Sequence, residues 1–108
     1  MGKIYFENLQ ALVSARNILW TEHIALRLRE RGIKRADVIT CIESGEIIEQ
    51  YPDDTPFPSC LILGNSLSGK PLHVVCGLNT GVSCCIITAY HPALDKWEVD
   101  YKTRKRGS

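Results

Sequence analysis

The chain of 108 residues has no apolar stretch near the ~20 residues that a membrane span requires, and Met1-Gly2-Lys3 opens without the apolar core of a secretory signal. A cytoplasmic protein with no membrane partner is the expectation. There is no Cys-x-x-Cys and no His-x-x-x-His pair, so neither a zinc ribbon nor a helical zinc protease site is present, and no metal is expected. A glycine-rich phosphate loop, a Gly-x-Ser-x-Gly elbow and a dinucleotide fingerprint are also missing, which removes nucleotide-driven chemistry and a nucleotide cofactor. Repeats and low-complexity tracts are absent as well.

Neither sign of charge dominates: 13 Lys and Arg face 12 Asp and Glu, for a net charge of +1. The distribution is uneven, however. Residues 1–40 carry +3, residues 41–60 carry −5, residues 61–101 carry −1 and residues 102–108 carry +4. Such a dipolar chain permits phosphate binding on one face, although a solvated charged surface is the commoner meaning. With 44% hydrophobic residues the chain can bury one core, and it is expected to fold alone or as a small oligomer. The five cysteines, Cys41, Cys60, Cys76, Cys84 and Cys85, are an odd number lying mostly in apolar runs, where a reduced thiol serves as a small core side chain.

The apolar period is helical at first. Ile4, Phe6, Leu9, Leu12 and Val13 predict a helix over about residues 3–17, read as an N-terminal helical arm (residues 1–19) ahead of a single domain over residues 20–101. Thr21 is a good N-cap for a second helix over 22–31, in which Ile24, Ala25 and Leu28 form an apolar stripe that stops at Gly32. A third helix, 35–44, turns Val38, Ile39 and Ile42 inward and ends at Gly45.

Beyond Gly45 the period becomes extended. Strands are predicted at 46–51, 60–63, 72–78 and 82–90, with the proline-rich loop 52–58 and the tight turn 79–81 between them. The expected fold is α+β: two or three N-terminal helices on one face of a three- to four-stranded antiparallel sheet.

His23, Arg27 and Arg31 recur every four residues on the second helix and share a stripe. Guanidiniums there can stabilise developing anionic charge while an imidazole moves a proton near neutral pH, but a plain solvated helix face has the same pattern. Alternation sends His73 away from Leu72, Val74 and Cys76, onto the sheet face opposite the helices, either as a site residue or as a half-buried hydrogen-bonded one. Thr88, Tyr90 and His91 leave the core at a strand end, where Tyr90 can donate a hydrogen bond or pack against Trp97. The tail 102–108, with Lys102, Arg104, Lys105 and Arg106, is a candidate for nucleic-acid phosphates or a frayed end, and Gly107-Ser108 reads as a cloning remnant.

Taken together, Thr21-Glu22-His23, Arg27, Arg31-Gly32-Ile33, Asp37-Val38, Ile42 and Gly45-Glu46-Ile47-Ile48 resemble the family known as domain of unknown function 4258. Tyr51-Pro52-Asp53-Asp54, Pro56 to Leu61, Pro71 to Val75, Ile87 to Pro92 and Lys96-Trp97 extend the resemblance over about residues 20–101. The chain departs from that pattern at Lys34, where the family commonly has a Ser or Thr cap worth ~1 kcal/mol, and at His91 and Cys84-Cys85. The resemblance implies a small bacterial-type domain similar in fold to the RelE/ParE-like toxins, whose activity, where present, is metal-independent RNA cleavage. On that expectation His23 or His73 takes the 2′-hydroxyl proton, Arg27 and Arg31 neutralise the phosphorane and Tyr90 or the second His assists the leaving oxygen, with RNA or a small antitoxin-like protein as partner. The other expectation is a non-catalytic module that binds protein or RNA through the same sheet face.

Overall fold

The computed structural model describes residues 2–106, so the Gly107-Ser108 reading lies outside the described residues. Its elements run α1 (Phe6–Ser14), β1 (Ile18–Leu19), α2 (Glu22–Glu30), α3 (Arg35–Ser44), β2 (Glu46–Tyr51), β3 (Ser59–Asn65), β4 (Pro71–Asn79) and β5 (Ser83–Tyr90). Thr21 caps α2 as expected, its Oγ1 accepting from the Ile24 N–H at 3.2 Å. Lys34 has no acceptor on its side chain, so only half of a capping box forms at α3. There Asp37 Oδ2 accepts from the Lys34 N–H at 2.8 Å, and its Oδ1 accepts from the Leu67 N–H at 3.0 Å, tying the β3–β4 loop to the helix.

The fold is α+β, but the sheet differs from the expected antiparallel meander of three or four strands. It has five strands in the order β1-β5-β4-β3-β2 and is mixed, because β1 pairs with β5 in parallel. Two residues are enough to make this ladder, Ile18 opposite Cys84 and Leu19 opposite Cys85, and two residues carry no readable period. The first helix is correspondingly shorter than residues 3–17. Its Leu9 and Val13 are fully buried in the same core as the rest, so α1 packs onto the domain.

The helices cover one sheet face. Cys60 and Ile62 of β3, Leu72, Val74, Cys76 and Leu78 of β4, and Cys84, Ile86 and Ala89 of β5 meet Ile24, Leu28, Val38, Cys41 and Ile42 there. At α3 the approach is backbone to backbone: a Cβ on Gly64 would collide with the Cys41 carbonyl, and one on Gly45 with the carbonyls of Leu63 and Cys41. Glycine is required at both positions by space.

Two bulges then decide what the other face carries. Ile48 is an extra residue between Ile47, opposite Ile62, and Glu49, opposite Leu61, so Glu49 points away from the helices. Ile87 is the extra residue of β5, which puts Thr88 opposite Val75 and Tyr90 opposite His73 on that same face. Without the bulges, strict alternation would turn Ile47 and Glu49 to one side.

All five cysteines are free, and four are buried. Burial pushes the Cys41 thiol up to about 12, and its Sγ donates to the Leu72 carbonyl at 3.3 Å. Hydrogen bonds with Cys60 and Cys84, followed by burial, hold Cys76 well above the ordinary thiol range. Thiolate is the reactive form, so a thiol reagent applied to the native protein should modify at most the half-buried Cys85, and all five after denaturation. Rapid native labelling of three or more would show that this core is not packed as described.

Candidate functional site

The sheet face opposite the helices is covered, and of the two expectations for His73 the structure shows the hydrogen-bonded one, buried more deeply than expected. Residues 92–106 return across that face as a strap. Its two limbs meet at an antiparallel bridge between Trp97 and Arg104, with the Glu98 N–H on the Thr103 carbonyl at 2.8 Å and the Lys105 N–H on the Lys96 carbonyl at 3.0 Å. At the tip, the Asp100 carboxylate accepts from the N–H groups of Lys102 and Thr103, which holds it below the usual carboxylate range. Tyr101 then takes a left-handed φ of 58°. That turn aims the Tyr101 carbonyl at β4.

His73 lies beneath this carbonyl and is fully buried. Its Nε2 is 2.8 Å from the Tyr101 oxygen and its Nδ1 is 3.3 Å from the Tyr90 hydroxyl. A carbonyl only accepts, so Nε2 must carry the proton, and Nδ1 then accepts from the Tyr90 O–H. The Trp97 ring stands edge-on to the imidazole, 4.5 Å between centroids and 90° between planes. Burial holds the His73 pKa below its ordinary value, outweighing the Tyr101 hydrogen bond that raises it. Burial likewise raises Tyr90. Both groups are neutral near pH 7, and Tyr90 spends its proton inward.

Glu49, which the sequence reading missed, anchors the strap. Arg104 Nε and Nη2 donate to its two oxygens at 2.9 and 3.0 Å, and the same guanidinium lies 4.6 Å over the Trp97 ring. The Arg104 hydrogen bond holds Glu49 below the usual carboxylate range. Burial, then Glu49 itself, pushes the Tyr51 hydroxyl up to about 12. Farther along β2, Lys102 Nζ is 3.0 Å from Glu46. The signal for Glu49 is present in the sequence as the doublet Ile47-Ile48, which breaks alternation just before it.

The remaining candidates lie farther out. Arg31 reaches the sheet edge, donating to Thr88 Oγ1 at 3.0 Å and to the Ala89 carbonyl at 2.9 Å, close enough for its charge to bear on Tyr90. Arg27 and His23 are exposed, one and two turns away from Arg31 along α2, and Arg27 is 3.9 Å from Glu30. Among the described residues, no hydrogen bond or ring contact joins either to His73 or Tyr90. Beside Tyr90, between the end of β5 and the strap, opens a cavity of about 480 Å³ walled by His91, Lys96, Trp97 and Arg104, with Asp95 its one acidic residue. The His91 Nδ1–H donates to the Pro71 carbonyl at 2.8 Å. Arg106 is exposed. No group of three or more metal-ligating side chains occurs among the described residues, and none of their helices is long and apolar enough to cross a membrane.

Fold and site define a small α+β domain whose five-stranded sheet is covered by helices on one face and by a polar strap on the other. The family model described as domain of unknown function DUF4258 matches residues 20–91, two thirds of the chain, and the chain belongs to that family. The match takes in α2 through β5, His73 and Tyr90 included; α1, β1 and the strap lie outside it. No curated protein and no solved structure matches the chain.

The sign of the His73 shift gives a pH dependence. A histidine whose pKa is lower in the folded chain leaves the unfolded chain binding more protons, so its contribution is complete above the ordinary value of 6.5 and is lost as pH falls below it. The depressed carboxylates, Glu49 and Asp37, are lost only below their ordinary values of 4.5 and 3.8. The melting temperature should therefore fall between pH 6.5 and pH 4.5, and in a His73→Gln variant it should be lower at neutral pH and flatter across that window. A wild-type curve that stays level or rises as the pH is lowered from 6.5 to 4.5 would contradict the enclosed neutral imidazole.

Proposed function

We propose that the protein is a non-catalytic module that binds single-stranded RNA, along the His23, Arg27, Arg31 stripe and into the cavity beside Tyr90. The observation that carries this reading is the hydrogen bonding of His73. Its two nitrogens are occupied by Tyr101 and Tyr90, so it has no free lone pair for a 2′-hydroxyl proton, and Tyr90 has no free proton for a leaving oxygen. A nuclease of the RelE/ParE-like kind would be left with His23 and the Nε2 of His91, and among the described residues neither is hydrogen-bonded to a second acid or base.

Binding asks less of the geometry. Residues four apart on a helix rise about 6 Å, so the stripe offers positive charge at regular intervals. Arg31 brings that track to Tyr90 and the cavity beside it, where Lys96 continues it. Lys102 and Arg104 are tied to Glu46 and Glu49, so the tail contributes less free charge than its composition suggests.

Fluorescence anisotropy with a labelled single-stranded RNA of about 12 nucleotides tests the reading. Affinity should fall with salt, and Arg27→Ala and Lys96→Ala should each reduce the slope of log affinity against log salt by about 1. The RNA should remain uncut after long incubation, with or without a chelator. Cleavage that is lost in His23→Ala or Arg27→Ala would replace the module by an enzyme, and absence of salt-sensitive binding would remove RNA as the ligand.

A further inference from the structure

The far side of α2 carries a second cavity, of about 400 Å³, where the helix turns into α3. At about 100° per residue, Ala25 and Arg29 stand roughly half a turn around the helix from Arg27, so this surface faces away from the His23, Arg27, Arg31 stripe. Its floor is apolar: Leu28 and Ile33 are the outer edge of the core, at 3% and 4% exposure, and Ala25 is half-buried beside them. The rim is cationic, made by Arg29, Lys34 and Arg35, and no acidic residue lines the cavity.

Those charges are only partly satisfied from within, where Lys34 bears on the Asp37 carboxylate and Arg35 on Trp20. Among the described residues, the side chains of Arg29 and Lys34 have no hydrogen-bond or ion-pair partner, whereas most other cations discussed above have one. Glu30, next to Arg29, is 3.9 Å from Arg27, and Asp37, three residues after Lys34, has both oxygens committed to the N–H groups of Lys34 and Leu67. Arg35 lies 5.1 Å over the Trp20 ring, which covers that aromatic face and leaves the cavity without a surface for a nucleobase.

We propose that this cavity docks an acidic segment of a partner protein, with one apolar side chain seated on Leu28 and Ile33 and flanking carboxylates paired to Arg29 and Lys34. An apolar floor inside a rim of one charge matches a peptide that alternates apolar and acidic side chains: burial supplies the affinity, and the charge supplies selectivity and orientation. The surface is separate from the one proposed for RNA, and the two stand or fall independently.

The probe is a fluorescent nine-residue peptide with a central Phe, two Leu and four Glu, alongside one peptide with Gln for every Glu and another with Ser for every apolar residue. The acidic apolar peptide should bind with a Kd on the order of 10 μM, and each control peptide at least about tenfold more weakly. The exposed double reversal Arg29→Glu with Lys34→Glu should cost about tenfold or more while the melting curve shows the fold intact, and Arg27→Glu on the opposite side should leave binding unchanged. Equal binding of the Ser peptide, or indifference to the double reversal, would overturn the site. Vesicles of phosphatidylcholine and phosphatidylglycerol at 3:1 bound in preference to the peptide would assign the surface to a membrane instead. Dimerisation in sedimentation that the double reversal abolishes would assign it to a second copy of the chain.

Discussion

A neutral imidazole held between a phenol and a backbone carbonyl organises the second half of this structure. His73 sits at the centre of the sheet face that the helices do not reach, and a polar ring enclosed there is tolerated only because both nitrogens are hydrogen-bonded. Losing either partner would leave a buried polar atom unsatisfied at a cost of about 1–3 kcal/mol. The Tyr101 carbonyl therefore has a defined place, and the left-handed turn at Tyr101, the Trp97 edge contact and the Arg104 stack are arranged around it. Function is constrained by the same interaction, because an imidazole used in this way is a structural acceptor and donor.

The two sheet faces solve different problems. Against the helices, close approach is obtained by removing side chains, with Gly45 and Gly64 letting backbone meet backbone and thiols filling small gaps. Against the strap, contact is made by aromatic edges and by charge. The acidic segment 41–60 and the basic segment 102–108, which look like a dipole for an external partner, are in part each other's partner: Lys102 meets Glu46, and Arg104 meets Glu49. These pairs are largely exposed and each contributes modestly, so they orient the strap more than they stabilise it. The two proposals rest instead on cations outside this exchange, those of α2 with Lys34 and Lys96.

What could be read from the residues followed the strength of local signals. The third helix, 35–44, was legible to its ends because its apolar period and terminal glycine agree, and alternation along β4 put His73 on the correct face. Ile18–Leu19 was not legible as a strand, since two residues acquire that role only by pairing with β5. Glu49 was missed because strict alternation assigns it to the helix side with Ile47, and only the bulge at Ile48 turns it to the other face. The cover over His73 was missed for another reason: residues 92–106 have no period, and their conformation is set by Asp100, Tyr101 and the bridge from Trp97 to Arg104. Of the candidate site residues, Tyr90 and His73 are joined directly and Arg31 comes near, whereas His23 and Arg27 share only the helix face that sequence spacing assigned to them.

The central claim, that His73 is a buried neutral imidazole locking the strap to the sheet, is tested most directly by nitrogen-15 NMR of the histidine rings at pH 7. One of the three should show a protonated Nε2 coupled to a slowly exchanging proton, with an unprotonated, hydrogen-bonded Nδ1, and those signals should disappear in His73→Gln. A His73 ring that exchanges freely with water, or that carries its proton on Nδ1, would contradict the enclosed geometry and return the imidazole to the list of groups available for proton transfer.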